Sequence, residues 1–133
     1  MPVVDGELWL LVMCLVALGI LGPVVHGVCR SAAEGDLRNN AVVGLRTPAT
    51  RKTERTWRAA HRSALPLTRP LAVVVPSVAG IAAVATLVTG REDVAAAGAV
   101  GVAAVLGSVT ILAGVRGHVV ARRVFRDREA ASP

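Results

Sequence analysis

Three long uncharged stretches set the pattern of this chain, residues 8–25, 71–89 and 94–115, each without Asp, Glu, Lys or Arg. A helix rises about 1.5 Å per residue, so about 20 such residues cross the hydrocarbon core of a bilayer. The pattern predicts an all-α integral membrane protein with three transmembrane helices. The second and third are joined by only a few polar residues, Gly90 to Asp93, and so form an antiparallel hairpin. The chain divides into an N-terminal anchor (1–29), a polar loop (30–70), the hairpin (71–116) and a basic tail (117–133), the last expected from Arg122 onward to be a short helical extension that frays into solvent.

Within the polar loop the periodicity changes. Asn39 and Asn40 are suited to turning the chain through side-chain bonds to nearby backbone. Gly44 supplies close packing or a positive φ, and Pro48 holds Thr47 extended, so no helix runs through this point. From Thr53, a good N-cap, to about Leu65 the pattern is helical, with Trp57, Ala60, His61 and Ala64 on one face. Arg55, Arg58 and Arg62 fill much of the rest, Glu54 pairs with Arg58 four residues on, and Leu65–Pro66 ends the segment. This is the pattern of a short interfacial helix on the inner leaflet, with Trp57 at headgroup depth and the three arginines reaching anionic lipid.

Charge then sets the topology. The loop from Arg30 to Arg69 holds nine basic residues and the tail after Val115 another five, whereas Arg91 is the single basic residue on the alternate side. The N-terminal segment carries Asp5 and Glu7. The positive-inside rule places the N-terminus outside, and the loop and C-terminus in the cytoplasm, of a bacterial inner membrane. An acidic leader and a long apolar run favour a retained anchor over a cleaved signal. A net charge of +6 and a pI near 11.2 would suggest nucleic acid on a soluble surface. Here the charges flank spans and no nucleic-acid module accompanies them, so anionic membrane lipid is the expected partner.

Composition narrows the chemistry. The chain is 53% hydrophobic with a mean hydropathy of +0.58, yet has one Phe, two Trp and no Tyr. Its spans must pack through Val, Ala, Leu and Gly. Ala99, Ala103, Gly107, Thr110 and Gly114 recur at helical spacing in the third span, Pro76, Gly80 and Ala83 in the second, and Gly19 with Gly22 in the first. Such stripes let backbones approach closely, and Gly80, Ala103, Gly107 and Gly114 are the expected packing positions, within the chain or between copies. Pro76 frees a carbonyl and is expected to bend its span. No span holds an ionisable Asp, Glu, Lys or Arg, which weighs against a proton pump or ion-coupled carrier. Cys14 and Cys29 read as free thiols, and His26 and His118 lie at span ends. One loop histidine without a paired carboxylate or metal-ligand cluster is a weak catalytic set, so no enzyme, metal or cofactor is expected.

The ordered set Asn40, Gly44, Arg46, Thr47, Thr50, Trp57 and His61, running through Gly44–Leu45–Arg46–Thr47–Pro48, resembles the signature of the SdpI family. The named member of that family protects Bacillus from its own sporulation-delaying toxin. The resemblance places the motif in a cytoplasmic stretch between transmembrane helices and covers most of the chain. The chain departs from the family at Ala49, where many relatives carry a large residue, and in its minimal three spans. The resemblance implies a non-enzymatic membrane protein that binds a hydrophobic toxin or membrane partner, with those seven residues as the partner-binding set. The alternative is an accessory subunit of a larger envelope complex, docking through the Gly/Ala stripes.

Overall fold

The computed structural model describes residues 6–40 and 42–131. Asp5 of the acidic N-terminal segment and the last two residues of the basic tail lie outside the described residues. The described chain is helical, with α1 at Gly6–Glu34, α2 at Glu54–Thr68, α3 at Leu71–Thr89 and α4 at Glu92–Ala130. Helices α1, α3 and α4 are each long and apolar enough to cross a membrane. At 29 and 39 residues, α1 and α4 are about 43 and 58 Å long, well beyond the ~30 Å a hydrocarbon core requires.

Local chemistry sets the helix ends. Gly35 adopts φ +100° after α1, and its N–H and that of Leu37 both donate to the Ser31 carbonyl, closing the last turn. Gly90, at φ +67°, does the same for α3 through the Thr86 carbonyl, and Glu92 and Asp93 then open α4 with negative charge at its positive end. Thr53 is the N-cap of α2, as its position suggested.

Two helices run further than the periodicity indicated. Pro66 does not end α2, which continues to Thr68 and is separated from α3 only by Arg69 and Pro70. The Arg69 N–H still reaches the Leu65 carbonyl at 2.9 Å, so the missing donor of Pro66 costs one bond without breaking the helix. The basic tail is helical, as expected, but continuous with α4 to Ala130 and without a break at Arg122, with Ala121 fully buried.

Contacts step down α1 as they step up α2 and α3. Trp57 bonds Leu37, Arg62 bonds Ala33 and His26 bonds Thr68; Gly22 then meets Leu71 and Val75, and Gly19 meets Pro76 and Ala79. Helices α2 and α3 thus form one antiparallel line along α1, and α4 packs against that whole line. The core runs from Val12, Leu15, Ala83 and Ala95, through Leu71, Val75, Ala79, Val102 and Leu106, to Cys29, Ala64 and Ala113. It closes on Ala49, Ala60 and Ala121 at the arginine-rich end. Outside it, Leu10, Met13, Ile20, Val73, Ile81, Val84, Val100, Ile111 and Leu112 face outward, an apolar coat with no use in water.

Of the small-residue stripes read in the sequence, that of the first span packs inside the bundle, whereas those through Gly80 and Gly107 do not. A Cβ added at Gly22 would collide with the Leu71 carbonyl, and at Gly98 it would stand 2.6 Å from the Ala82 methyl. At Gly80, Gly107 and Gly114 it would meet nothing within 4 Å, and Gly80, Ala103 and Gly107 are exposed. Within the chain, close approach belongs to Gly19, Gly22, Gly98 and Gly117, while Gly80, Ala103, Gly107 and Gly114 leave room on the outer surface.

Candidate functional site: a threonine-latched loop over Trp57 and His61

The loop between α1 and α2 folds back on itself through short polar side chains. Asn40 Oδ1 accepts the N–H groups of Val42 and Val43, both at 2.8 Å, and its Nδ2 donates to the Arg38 carbonyl. Asn39 reaches across the loop, its Nδ2 donating to the Arg51 carbonyl and its N–H to Glu54 Oε2. Ala41 lies outside the described residues.

Two reciprocal threonine pairs follow at the same spacing. Thr50 Oγ1 accepts the Thr47 N–H at 2.9 Å while Thr47 Oγ1 accepts the Thr50 N–H at 3.2 Å. Thr53 and Thr56 repeat the arrangement as the capping box of α2. The Thr50 hydroxyl donates to the Leu45 carbonyl at 2.6 Å, and the Thr56 hydroxyl lies within hydrogen-bond distance of the carbonyls of Thr50 and Thr53. Pro48, fixed near helical φ, turns the chain inside the first pair, where the Arg51 N–H meets the Thr47 carbonyl.

Beneath this latch lie Trp57 and His61, both fully buried and one helical turn apart, with ring centroids 4.2 Å apart. Trp57 Nε1 donates to the Leu37 carbonyl at 2.9 Å. The Leu45 N–H donates to His61 Nε2 at 2.8 Å, so that nitrogen carries no proton. His61 Nδ1 therefore holds the proton and donates to the Trp57 carbonyl at 2.9 Å. Burial pushes the imidazole pKa below its ordinary value, and the Trp57 carbonyl opposes this only in part. His61 is a neutral, two-ended strut between the loop and α2.

Gly44 completes the arrangement. Its φ is +107°, and a Cβ there would stand 2.7 Å from both His61 Nε2 and the Trp57 ring. Glycine is required twice over, for backbone conformation and for space. With Gly44 flat on the two rings, Leu45 reaches Gly117 of α4 and Ala49 packs with Ala60 and Ala121. The loop is thereby clamped across α2 to the far end of α4.

The structure brings six of the seven motif residues into this single clamp: Asn40, Gly44, Thr47, Thr50, Trp57 and His61. Arg46 is exposed on its outer side. Trp57 is correspondingly closed off from lipid headgroups: the face it shares with Ala60, His61 and Ala64 is buried against protein. Arg55, Arg58 and Arg62 do lie exposed along α2, with Arg58 paired to Glu54 and Arg62 donating to the Ala33 carbonyl. Every described buried side-chain polar atom has a partner, and no three described His, Cys, Asp or Glu residues gather as metal ligands. What the sequence did not single out is the second threonine of the capping box, Thr56, and the cleft beside Ala49. That cleft is lined by Lys52 from the loop and by His118, Arg122, Phe125 and Arg126 from α4. The T-x-x-T spacing at 47–50 and again at 53–56 was the available signal for the first.

Three long apolar helices, closed at one end by a loop clamped over a buried Trp–His pair, define a small multi-pass helical membrane protein. Residues 36–116 match the profile of the SdpI/YfhL protein family, and the chain belongs to that family. The matched stretch begins at the loop and takes in the latch, α2, α3 and the apolar part of α4. No curated protein and no solved structure matches the chain.

Proposed function

We propose that this protein is a non-enzymatic, immunity-like component of the bacterial inner membrane that acts by binding a hydrophobic peptide or a membrane partner. The observation that carries this reading is the self-sufficiency of the motif. Trp57, His61, Thr47 and Thr50 spend their polar groups on one another and on nearby backbone. A residue set used up in this way builds a rigid end to the bundle and offers no nucleophile or base to a substrate. Recognition is then left to the lipid-facing surface, where Val16, Gly19, Ile20, Pro23, Pro76, Ala79 and Gly80 line an apolar groove between α1 and α3. The role of the motif is to hold α1, α3 and α4 in the register that shapes this surface. The arginine-rich end lies in the cytoplasm, by the split of basic residues across the spans.

The test is survival. Cells sensitive to the sporulation-delaying toxin of Bacillus, expressing this chain, should outlive cells carrying empty vector. Gly80→Leu, which fills the groove without touching the clamp, should remove the protection at unchanged membrane abundance. Equal protection by Gly80→Leu would contradict the groove, and the absence of protection by the parent chain would contradict the immunity-like role. A second reading, an accessory subunit of a larger envelope complex, is favoured by the outward Ala103 and Gly107 on α4. Stoichiometric co-purification with one large membrane protein, lost in Gly107→Leu, would select it.

A further inference from the structure

Beyond its apolar run, α4 carries His118, Arg122, Phe125, Arg126 and Glu129 on one face, and the loop lays Pro48, Ala49 and Lys52 opposite them. Together they enclose a cleft of about 340 Å³. Lys52 Nζ sits 3.7 Å above the centre of the Phe125 ring, which holds the loop to α4 and keeps the ammonium at the rim. Among the described residues, neither Arg122 nor Arg126 pairs with a carboxylate. Three full cations therefore converge on one cavity against a single acid, Glu129 at its outer end. Gathering like charges without counter-charge costs free energy, and an anion in the cleft removes that cost.

Depth and direction specify the anion further. The uncharged run of α4 ends at Val115, so His118 lies about 5 Å and Arg122 about 10 Å further along the axis. The headgroup layer of one leaflet is about 5–8 Å thick. Side chains on a helix lean toward its N-terminus, which for this end of α4 means back toward the membrane. Arg122 and Arg126 are thus aimed at the headgroup layer. The arginines of α2 lean the other way, because α2 runs toward the membrane. Ala49, Pro48 and Phe125 give the cleft an apolar wall that suits the glycerol end of a lipid better than a fully hydrated ion.

We propose that the cleft between the loop and α4 is a binding site for the phosphate-bearing headgroup of an anionic membrane lipid, held by Lys52, Arg122 and Arg126. The site rests on α4 spanning the membrane and is independent of the immunity-like role. Occupied, it joins loop, α4 and bilayer, and so stabilises the clamp from outside.

Full-length protein in a neutral detergent is titrated with phosphatidylglycerol, with phosphatidylcholine, and with inorganic phosphate or pyrophosphate, following the melting temperature and the apparent Kd. Phosphatidylglycerol should raise the melting temperature and phosphatidylcholine should not. Arg122→Gln/Arg126→Gln should weaken phosphatidylglycerol binding at least tenfold, with Lys52→Gln in the same direction. Arg38→Gln/Arg51→Gln removes equal charge from exposed positions outside the cleft and should bind as the parent does. Equal stabilisation by phosphatidylcholine, an undiminished response in Arg122→Gln/Arg126→Gln, or an equal loss in the control would overturn the site. A full response to phosphate or pyrophosphate alone would overturn its assignment to lipid.

Discussion

Gly44 and His61 show how much of the clamp rests on single atoms. A methyl group at position 44 must displace either the imidazole or the indole, and it does so at a φ of +107° that side chains rarely adopt. Gly44→Ala should therefore destabilise the protein by about 1–3 kcal/mol, read as a lowered melting temperature in detergent. His61 adds a pH dependence. In the unfolded chain it titrates near 6.5, whereas burial keeps it neutral to lower pH in the folded state. Above that range neither state is protonated and the term vanishes. As pH falls below 6.5 the unfolded state gains a proton first, so stability falls. Melting between pH 7.5 and 5.5 should show this decline in the parent and a flatter profile in His61→Gln. The four-residue spacing of Trp57 and His61 was legible in the sequence, and so was the membership of Gly44 in the same motif. Their burial was not. A Trp on an amphipathic helix reads alike whether lipid or protein covers it, and here the folded loop, through Leu37 and Gly44, lies against it.

For the helices, the contrast between Gly22 and Gly107 is the most direct check on the packing. Gly22→Ala forces a methyl group into the Leu71 backbone and should separate α1 from α3, with a clear loss of thermal stability. Gly107→Ala meets open space and should be neutral or slightly stabilising, since alanine favours helix by up to about 1 kcal/mol. The spans themselves were readable from uncharged length alone. Their buried faces were legible only in part, at Gly19 and Gly22 of α1, because lipid and protein interior accept the same Val, Ala and Gly, and hydropathy has no contrast between them. Small residues at helical spacing occur on more than one face of α4, and the stripe through Ala103 and Gly107 is the outward one. The anchoring of the α4 extension was hidden for the opposite reason. Its sequence is basic and looks solvated, while Gly117 and Ala121, too small to register as a hydrophobic face, carry its contact with α2.

At the scale of the molecule, the protein is a bundle in two registers. Its apolar half meets lipid on nearly every outward position. Its arginine-rich half is a water-facing cap in which α2 continues the line of α3 between the ends of α1 and α4, stitched by threonines. The spans bond their few hydroxyls to their own helix, at Ser77, Thr86 and Thr89, whereas the cap has hydrogen bonds between elements and a large buried aromatic, and Trp57→Ala should cost about 3–5 kcal/mol there. Because the spans are apolar without the cap, Trp57→Ala should still insert, and protease should cut its loop faster in permeabilised cells.

The claim on which the rest depends is that three spans cross the membrane with this cap inside. In a Cys14→Ala/Cys29→Ala background, single cysteines are introduced as Gly90→Cys and Arg51→Cys and treated with a membrane-impermeant maleimide. The account predicts labelling of the Gly90→Cys protein in intact cells and of the Arg51→Cys protein only after permeabilisation. Labelling of Arg51→Cys from outside intact cells, or recovery of the chain without detergent in the soluble fraction, would contradict it.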